Sequence, residues 1–551
     1  MPASKSSAGF SLLWPEGHRP GGQPNRPLAA ETDLGLETVI RALALDGRHS
    51  RFVAALLGEL NSDPAVITYR QEALEDFIRL PQMAEEMNEI LPHLAELSAA
   101  GREQRWGESL PLYQIGARLG ELEGLITSVE GLANALEKAA ADPKSAALTG
   151  LRAFLAEIRA EDIYQQLVRE LPELRGRLDM AGSVTLGINL DAQLRPESAT
   201  LVSINPERFS GKNSLLERLF GEKTAAESFR GSTPLYKAVE SRPNMPEHEL
   251  FRELNRLLER VAAPVGQALA KYTRLNGVQL AALEPELAFY IGASRMVQRV
   301  REAGLSLCRP EIAAAEAKIC RIEGIYSLDL ALRWLEMSAS YRASRPVVTN
   351  EVSFKPEANI IVLTGPNSGG KTTYTRAVGQ AQALFQAGLP VPGTKACLSP
   401  VDAIFTHFAS AERLEVAGGR LAEELGRLSQ IFHQASPASL VLLNEPLAST
   451  DHASARVLSR DLLAGLRLLG ARAIFVTHIH ELAEDALPGT GIVSLVAGIA
   501  PHEGNGSSLS PTYTIRPGQP QALGYASELA RQHGLSLSQI EAALRERGLN
   551  A

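Results

Sequence analysis

The spacing of apolar side chains divides the chain into a helical part and a part that alternates strands with helices. Between residues 31 and 182, runs such as LETVIRALAL and FVAALLGEL carry apolar residues at every third or fourth position. This spacing places the apolar side chains on one face of an α-helix and predicts an all-α region. Between residues 346 and 518, the runs ANIIVLTG, SLVLLNE and RAIFVTH alternate with helical patterns. That order predicts an α/β domain with a mostly parallel sheet.

A segment in which every second residue is apolar interrupts the helical part. In SVTLGINL the alternate residues from Val184 to Leu190 are apolar, DAQLRPES supplies turn residues, and ATLVSI has the composition of a second strand. These features predict a β-hairpin inside the helical region. Helical spacing returns near residue 247 and continues to about 340. The predicted segments are a disordered Gly-, Pro- and Ser-rich tail (1–30), a first helical part (31–182), an insertion with the hairpin (183–245), a second helical part (246–345), the α/β domain (346–518) and a C-terminal element of two short helices around His533 and Gly534 (519–551).

Composition limits the compartment and the partners. The 551 residues are 45% hydrophobic and 21% charged, with a net charge of −8 and a pI near 5.9. This acidic balance excludes a basic footprint over the whole chain, so any contact with nucleic acid has to be local. Three cysteines without zinc-finger spacing indicate a reducing compartment, and no apolar run approaches the ~20 residues that span a bilayer. We therefore expect a soluble, cytoplasmic protein with no membrane contact.

The segment GPNSGGKT at residues 365–372 matches the pattern G-x-x-x-x-G-K-[ST] of a phosphate-binding P-loop. Glycines allow backbone N–H groups to curl around phosphate oxygens, and the helix that follows adds its positive N-terminal end. Lys371 is expected to reach the β- and γ-phosphates of ATP, and Thr372 to ligate Mg²⁺. The preceding strand and the following helix supply the required context. The predicted nucleotide-binding residues are Gly365, Pro366, Asn367, Ser368, Gly369, Gly370, Lys371, Thr372 and Thr373.

Further candidates stand where apolar strands end. Glu445 follows the run LVLL and can orient or polarise the attacking water, which makes it a candidate catalytic residue together with Lys371. Asn444 stands where an aspartate is usual, so Thr372, Asn444 and Glu445 form the candidate Mg²⁺ site. His478 ends the run IFVTH and is a third catalytic candidate, as a sensor or stabiliser of the γ-phosphate. Asp451 is a candidate link to a partner subunit.

Several stretches together resemble the MutS family of DNA mismatch-repair ATPases. TGPNSGGKTTYTRA resembles the P-loop of that family, THIHEL its histidine switch, and SPVDAIFTHFASAE the segment after its P-loop helix. Asn350 stands where the family has an Asn ahead of the ATPase strands. DPAVITYRQEALEDF (63–77) resembles the helical core, and Arg309-Pro310-Glu311 resembles an Arg-Pro-Glu signature. GYASELARQHGLS resembles the C-terminal helix-turn-helix. The resemblance extends over most of the chain from about 35 to 545.

The resemblance implies an architecture and a set of partners. It implies helical core and lever parts at 31–182 and 246–345, a clamp-like insertion at 183–245, an ATPase domain of ABC type at 346–518 and a dimerisation element at 519–551. It also implies ATP and Mg²⁺ as cofactors, double-stranded, mismatched or branched DNA as ligand, and a homodimer. Basic residues of the insertion could meet phosphates, although neighbouring glutamates make an ordinary solvated face an equal alternative; these are Arg195, Arg208, Lys212, Arg218, Lys223 and Arg230.

Four departures from the family pattern change these expectations. The helical core begins within about 35 residues of Met1, which indicates a short form without the mismatch-recognition and connector domains. Asn444 lacks the charge of the usual aspartate, so we expect weaker hold on Mg²⁺ and slow turnover. The loop that usually supplies a serine to the neighbouring subunit contains Gly418 and Gly419, with Arg420 as a candidate substitute cation. No nuclease domain is expected after the ATPase.

These observations favour one function and leave two others open. The favoured function is an ATP-dependent DNA-binding protein of the MutS type, acting in mismatch repair or on branched DNA. The alternative is a nucleotide-controlled scaffold that hydrolyses little ATP and binds a protein partner, which Asn444, the net acidity and the small insertion favour. A transporter ATPase subunit is a third possibility, because NEPLASTD resembles a strand end of that superfamily. It requires an LSGGQ-type signature, and AGGRLAEE is not one.

Overall fold

The fold is described from a computed structural model. The described residues are 10–18, 30–100, 112–179, 183–193, 196–205, 207, 263–272, 277–355, 357–408, 420–484, 489–501, 509–519 and 533–547. Every structural statement below refers to these residues.

Helices occupy most of the described chain before the hairpin, and local signals set their ends. The Asp63 side chain accepts a hydrogen bond from the Ala65 backbone N–H, and Pro64 stands at the first helical position of the fourth helix. Pro81 starts the next helix after Leu80 caps the previous one. These helices are α1 (Ala30–Leu34), α2 (Leu36–Leu43), α3 (Ser50–Gly58), α4 (Pro64–Arg79), α5 (Pro81–Ala100), α6 (Leu112–Glu137), α7 (Ala146–Ala160) and α8 (Asp162–Asp179).

Two antiparallel strands follow α8. Strand β1 (Ser183–Leu190) pairs with β2 (Pro196–Asn205), and the register shifts once after Thr185 and again after Asn189. The second strand therefore begins earlier than the run ATLVSI. The basic residues proposed to meet phosphates, from Arg195 to Arg230, lie outside the described residues.

Helical structure returns at 263–269 and is followed by a 3-10 turn at Ala270–Tyr272 and by helices α9 (Val278–Ala281) and α10 (Glu284–Glu302). The expectation of continuous helical character to about 340 is wrong, because strands occupy part of this stretch. In β5, the segment CRIEGI buries Cys320 and Ile322 and exposes Arg321 and Glu323. That period of two belongs to a strand with one face in the core. The elements here are β3 (Leu307–Cys308), β4 (Glu311–Ile312), a 3-10 turn (Ala315–Ala317), β5 (Cys320–Ile325), α11 (Leu328–Leu335) and α12 (Ala339–Ser344).

The region from residue 350 onward alternates strands and helices, as the apolar pattern predicts. Helix α13, the second longest helix described in this region, starts directly after the glycine-rich loop. The elements are β6 (Asn350–Phe354), β7 (Ile360–Thr364), α13 (Lys371–Gln386), β8 (Val391–Pro392), β9 (Lys395–Leu398), β10 (Ile404–Phe408), α14 (Arg420–Gln434), β11 (Leu440–Asn444), α15 (His452–Leu469), β12 (Arg472–Val476), α16 (Glu481–Glu484), β13 (Ile492–Pro501), β14 (Leu509–Pro517) and α17 (Leu537–Glu546).

A six-stranded sheet organises this region, in the order β10-β11-β12-β7-β13-β14. The first five strands are parallel, and β14 pairs antiparallel with β13 at the edge. Asn444 pairs with Val476, and Val476 pairs with Leu363, so the ends of β11, β12 and β7 lie in one row. In an open parallel sheet, ligands bind beyond the carboxyl ends of the strands. The row therefore marks where a site has to be sought.

Burial explains why these strands are continuous apolar runs. Every residue of β7, β11 and β12 is buried, as expected for parallel strands covered on both faces. Helix α13 is buried along most of its length, including the amides of Gln380, Gln382 and Gln386. Each of these amides is hydrogen-bonded, Gln380 to the Leu34 carbonyl at 2.7 Å. A second sheet, β4-β9-β5-β6, and a small pairing of β3 with β8 complete the strands described for this region.

Residues 10–18 correct the prediction of a disordered tail. Leu12 and Leu13 are 0% and 2% exposed. The Leu12 backbone N–H donates to Glu286 Oε2 at 2.6 Å, and the Tyr290 hydroxyl donates to the Leu12 carbonyl at 3.0 Å. The Arg70 guanidinium lies 4.5 Å from the centre of the Trp14 ring. This segment is therefore part of the folded structure.

Contacts divide the chain into two compact units. One comprises residues 1–9, 89–138 and 152–284, and the other comprises residues 10–88, 139–151 and 285–551. The second unit holds both larger sheets and the glycine-rich loop. Within the described residues, no helix combines the length and apolarity needed to cross a membrane.

Candidate functional site

The loop at 365–370 joins β7 to α13 in a form that needs its glycines. Gly365 has φ of +125°, and a Cβ there would lie 2.8 Å from the Ala497 Cβ. Gly370 has φ of +88° where α13 begins. A Cβ on Gly369 would lie 3.0 Å from the Pro366 carbonyl oxygen. The loop thus presents its backbone at the N-terminal end of a sixteen-residue helix, where N–H groups lack partners within the helix.

Lys371, the first residue of α13, places its ammonium group against this loop. The side chain is 4% exposed, and Nζ donates to the carbonyls of Gly365 at 2.9 Å and Pro366 at 3.0 Å. Nζ also lies 3.8 Å from Glu445 Oε1. Burial lowers the pKa of Lys371, and the Glu445 carboxylate partly opposes that shift. The loop therefore holds a cation against its own backbone carbonyls.

Thr372 and Asn444 bring two neutral oxygens together. The Thr372 hydroxyl donates to Asn444 Oδ1 at 3.1 Å, which links the first turn of α13 to the end of β11. A hydroxyl and an amide oxygen suit Mg²⁺, which commonly takes few protein ligands and completes its shell with water and substrate phosphates. Among the described residues, no group of three His, Cys, Asp or Glu side chains could hold a metal by itself. The donor set fits a magnesium ion that arrives with a nucleotide.

Glu445 and His478 form the third part of the site. His478 Nε2 lies 2.7 Å from Glu445 Oε1, and the Glu445 backbone N–H donates to the Val476 carbonyl at 3.0 Å. Glu445 has φ of +53°, a left-handed conformation that non-glycine residues seldom adopt. The hydrogen bond from His478 lowers the pKa of Glu445 despite its partial burial. The carboxylate is therefore ionised at neutral pH.

A cavity of about 980 Å³ extends from the loop. This volume lies at the upper end of typical small-molecule sites. Among the aromatic side chains that line it are Trp334, Tyr341 and Tyr513, which we call the aromatic wall. The Trp334 indole N–H donates to the Arg345 carbonyl at 2.8 Å, which fixes the ring. The cavity thus offers cationic and polar groups together with aromatic rings.

Two family matches cover most of this chain. Residues 62–303 match the family described as MutS2 N-terminal domain, and residues 361–545 match the family described as MutS domain V. The chain belongs to the MutS family.

The MutS relatives differ in how much they share with this chain. A DNA mismatch repair protein MutS from Granulibacter bethesdensis is 26% identical over 481 residues, which are 81% of this chain and 49% of that protein. An Endonuclease MutS2 from Streptococcus uberis is 32% identical over 199 residues, 36% of this chain and 25% of the relative. Another, from Thermomicrobium roseum, is 34% identical over 192 residues, 35% of this chain and 24% of the relative. The matches span about half or less of the length of these relatives.

The structure of this MutS-family protein brings the predicted site residues together. Those that line the cavity are Asn367, Ser368, Gly369, Gly370, Lys371, Thr372, Thr373 and Glu445. Gly365 and Pro366 adjoin it through Lys371, Asn444 through Thr372, and His478 through Glu445. Their roles in catalysis and binding remain predictions.

Other predicted residues make structural contacts, and one of them, Asn350, also lines the cavity. Asp451 caps α15 and accepts a hydrogen bond from the Ser454 backbone N–H at 3.0 Å. Asn350 joins β6 to β14, because its amide donates to the Tyr513 carbonyl at 3.1 Å and accepts from the Ile515 N–H at 2.6 Å. Gly418 and Gly419 lie outside the described residues.

Sequence reasoning missed two features of this MutS-family site. The aromatic wall comes from α11, α12 and β14, none of which carries a motif. The only signal for α11 and α12 is a series of aromatic and basic residues at 333–345, just before the α/β domain, and β14 lies outside it. Glu424, in the run RLAEEL, also carries no motif, although it contacts the turn after Glu445.

Proposed function

We propose that this MutS-family protein binds ATP with Mg²⁺, hydrolyses it, and uses the cycle to change its hold on DNA as a homodimer. One observation carries the proposal: Lys371, the Thr372–Asn444 pair and the Glu445–His478 pair meet beside the same loop. A cation, two neutral oxygen ligands and an ionised carboxylate are the groups that phosphoryl transfer to water requires. The relatives named DNA mismatch repair protein MutS support DNA as the ligand.

Each residue has a separate task in this proposal. The loop backbone and Lys371 hold the phosphates, and Thr372 with Asn444 holds Mg²⁺, which neutralises charge on the phosphates when bound. Glu445 orients the attacking water and receives its proton, and His478 fixes the carboxylate that does so. Because Glu445 is already ionised at neutral pH, it can accept a proton without a prior titration step.

The aromatic wall favours a nucleotide, which carries a base, as the ligand rather than a free phosphate. Tyr341 and Tyr513 are 40% and 50% exposed, so their rings can meet a ligand. The guanidinium of Arg345 lies 5.4 Å from the centre of the Tyr341 ring. Ring faces beside cations favour a planar base by stacking. In this proposal the base lies against this wall.

The proposed domain organisation follows the predicted segments. The helical parts at 31–182 and 246–345 act as core and lever, and the segment at 183–245 acts as a clamp that includes the β1–β2 hairpin. Movement of the clamp on ATP binding would couple the site to DNA. The residues at 519–551 contribute to dimerisation.

A nucleotide-controlled scaffold is the second candidate, and Asn444 favours it. A neutral amide at the end of β11 attracts Mg²⁺ less strongly than a carboxylate does. A protein with this residue could retain ATP for long periods and signal by its bound state alone. Its ligand would then be another protein.

One experiment separates these functions. The ATPase rate of the full chain is measured with Mg²⁺, alone and with duplex, mismatched and four-way-junction DNA, and Lys371→Ala serves as the inactive reference. We expect hydrolysis in the wild type, a changed rate with at least one DNA, and DNA affinity that falls steeply with salt. ATP binding without DNA binding at low salt supports the scaffold. Absence of nucleotide binding contradicts both.

Asn444→Asp is expected to raise the affinity for Mg²⁺ by about tenfold, because a full negative charge replaces a dipole beside the Thr372 hydroxyl. The measurement is the Mg²⁺ concentration that gives half-maximal ATPase activity at saturating ATP. Asn359→Asp is the matched control, because Asn359 bonds the Ala471 carbonyl at the other end of the sheet. An unchanged half-maximal concentration in Asn444→Asp would show that this side chain does not contact the metal.

A further inference from the structure

The turn that carries Glu445 has an unusual backbone. Both Glu445 and Leu447 have positive φ values, +53° and +67°. Such conformations persist only where surrounding contacts enforce them. The Leu447 side chain is 1% exposed and belongs to the core beneath the sheet. The position of the Glu445 carboxylate therefore depends on the contacts that fix the backbone of residues 446–449.

Glu424 on α14 holds this turn through both carboxylate oxygens. Oε1 accepts a hydrogen bond from the Leu447 backbone N–H at 2.7 Å, and Oε2 accepts one from the Ser449 hydroxyl at 2.6 Å. The two contacts lie two and four residues beyond Glu445. An ionised acceptor makes such hydrogen bonds stronger than neutral pairs.

His407 completes the arrangement from β10. Its ring is 6% exposed, and Nε2 lies 3.1 Å from Glu424 Oε1. Since an ionised carboxylate only accepts, Nε2 carries the proton in this contact. Burial of Glu424 raises its pKa, but the hydrogen bonds from His407, Ser449 and Leu447 outweigh burial and leave the pKa below its ordinary value. The carboxylate is thus ionised and oriented from a neighbouring strand.

We propose that Glu424 is a positioning residue for ATP hydrolysis, which keeps the Glu445 carboxylate aimed into the site by fixing the turn at Leu447 and Ser449. The proposal rests on the proposed ATPase function. Glu424 is absent from the cavity lining, so it acts through the turn and not on the nucleotide. A carboxylate that shifts by about 1 Å can lose much of its catalytic effect while nucleotide binding is preserved.

The test compares three variants of the full chain. Glu424→Ala removes both contacts, and Glu424→Gln keeps an oxygen for Leu447 and offers its amide N–H to the Ser449 hydroxyl. Glu423→Gln is the matched control, because Glu423 pairs with Arg427 on the surface of the same helix. The readouts are kcat per bound nucleotide, the Kd for ATP, and hydrogen exchange of the Leu447 amide. Thermal unfolding shows which variants are folded.

In Glu424→Ala we expect kcat to fall about tenfold, with the Kd for ATP within threefold of the wild type and at least tenfold faster exchange at Leu447. Glu424→Gln should retain at least about half of the wild-type kcat, and Glu423→Gln all of it. If Glu424→Ala does not fold, Ser449→Ala replaces it, with an expected two- to fivefold loss of kcat.

An active Glu424→Ala with unchanged kcat overturns the proposal, as does an equal loss in Glu423→Gln. A wild type that does not hydrolyse ATP is a failure of the proposed function. In that case hydrogen exchange of the Leu447 amide is the only test of whether Glu424 fixes the turn. Unchanged protection of this amide in Glu424→Ala refutes that role.

Discussion

Replacing Glu445 with glutamine is expected to slow ATP hydrolysis by at least about 10²-fold while ATP still binds. Glutamine keeps the size of the side chain and an oxygen for the His478 contact, which spans 2.7 Å in the wild type. It loses the charge and the ability to receive a proton from water. Lys371 and the loop carbonyls are untouched, so the Kd for ATP should change less than about threefold. Single-turnover hydrolysis and retention of labelled ATP on gel filtration measure the two effects.

Glu357→Gln is the control for Glu445→Gln. Glu357 is an exposed carboxylate in the turn before β7 and is absent from the cavity lining. Its replacement should leave both hydrolysis and retention unchanged. Wild-type turnover in Glu445→Gln would remove this carboxylate from the chemistry and leave its contacts with His478 and Lys371 to explain its position.

The sequence predicted the parts of the site that are contiguous or that end an apolar strand. The P-loop is a local motif whose backbone is set by its own glycines. Asn444 ends a buried strand, and Glu445 and His478 follow buried strands. Parallel strands present their carboxyl ends at one edge of the sheet. The proximity of two strand ends can therefore be predicted from the sequence. Glu424 and His407 could not be placed this way. Their contact joins a helix to a strand and is set by packing.

The predicted fold was correct where a long segment has a single pattern of apolar residues. It was wrong where helical spacing and strand alternation occur in the same segment. The buried strands β7, β11 and β12 were recognised because every residue in them is apolar or at a boundary. Strand β5 was missed in a stretch treated as helical, although Cys320 and Ile322 alternate with charged residues. The two-residue strands β3 and β4 give no periodic signal, since their pairing is set by partners far along the chain.

At residues 10–18, composition predicts disorder, whereas the individual side chains form ordered contacts. Glycine, proline and serine on either side suggested a disordered tail, but SLLW contains three large apolar residues in succession. A chain without regular structure can still be ordered if its polar backbone groups find partners. Here Tyr69 and Tyr290 donate to the carbonyls of Ser11 and Leu12. Those partners come from distant helices, which no local pattern reveals.

The double replacement Leu12→Ala and Leu13→Ala is therefore expected to lower the free energy of unfolding by at least about 4 kcal/mol. Each leucine is almost fully buried, and truncation of a buried leucine to alanine typically costs about 2–5 kcal/mol. Loosening of the segment would also weaken the hydrogen bond from the Leu12 N–H to Glu286, whose pKa burial already raises. Urea unfolding followed by circular dichroism measures the loss.

Glu16→Ala is the matched control in the same segment, because Glu16 is exposed and its replacement should change the free energy of unfolding by less than about 0.5 kcal/mol. Comparing a chain that starts at Phe10 with one that starts at Arg19 isolates the same contacts without any substitution. The longer chain should be the more stable by at least the margin of the double replacement, because the Arg70–Leu13 and Glu286–Ser11 hydrogen bonds are lost together with the leucines. Equal stability of the two chains would mean that residues 10–18 contact the folded unit without stabilising it.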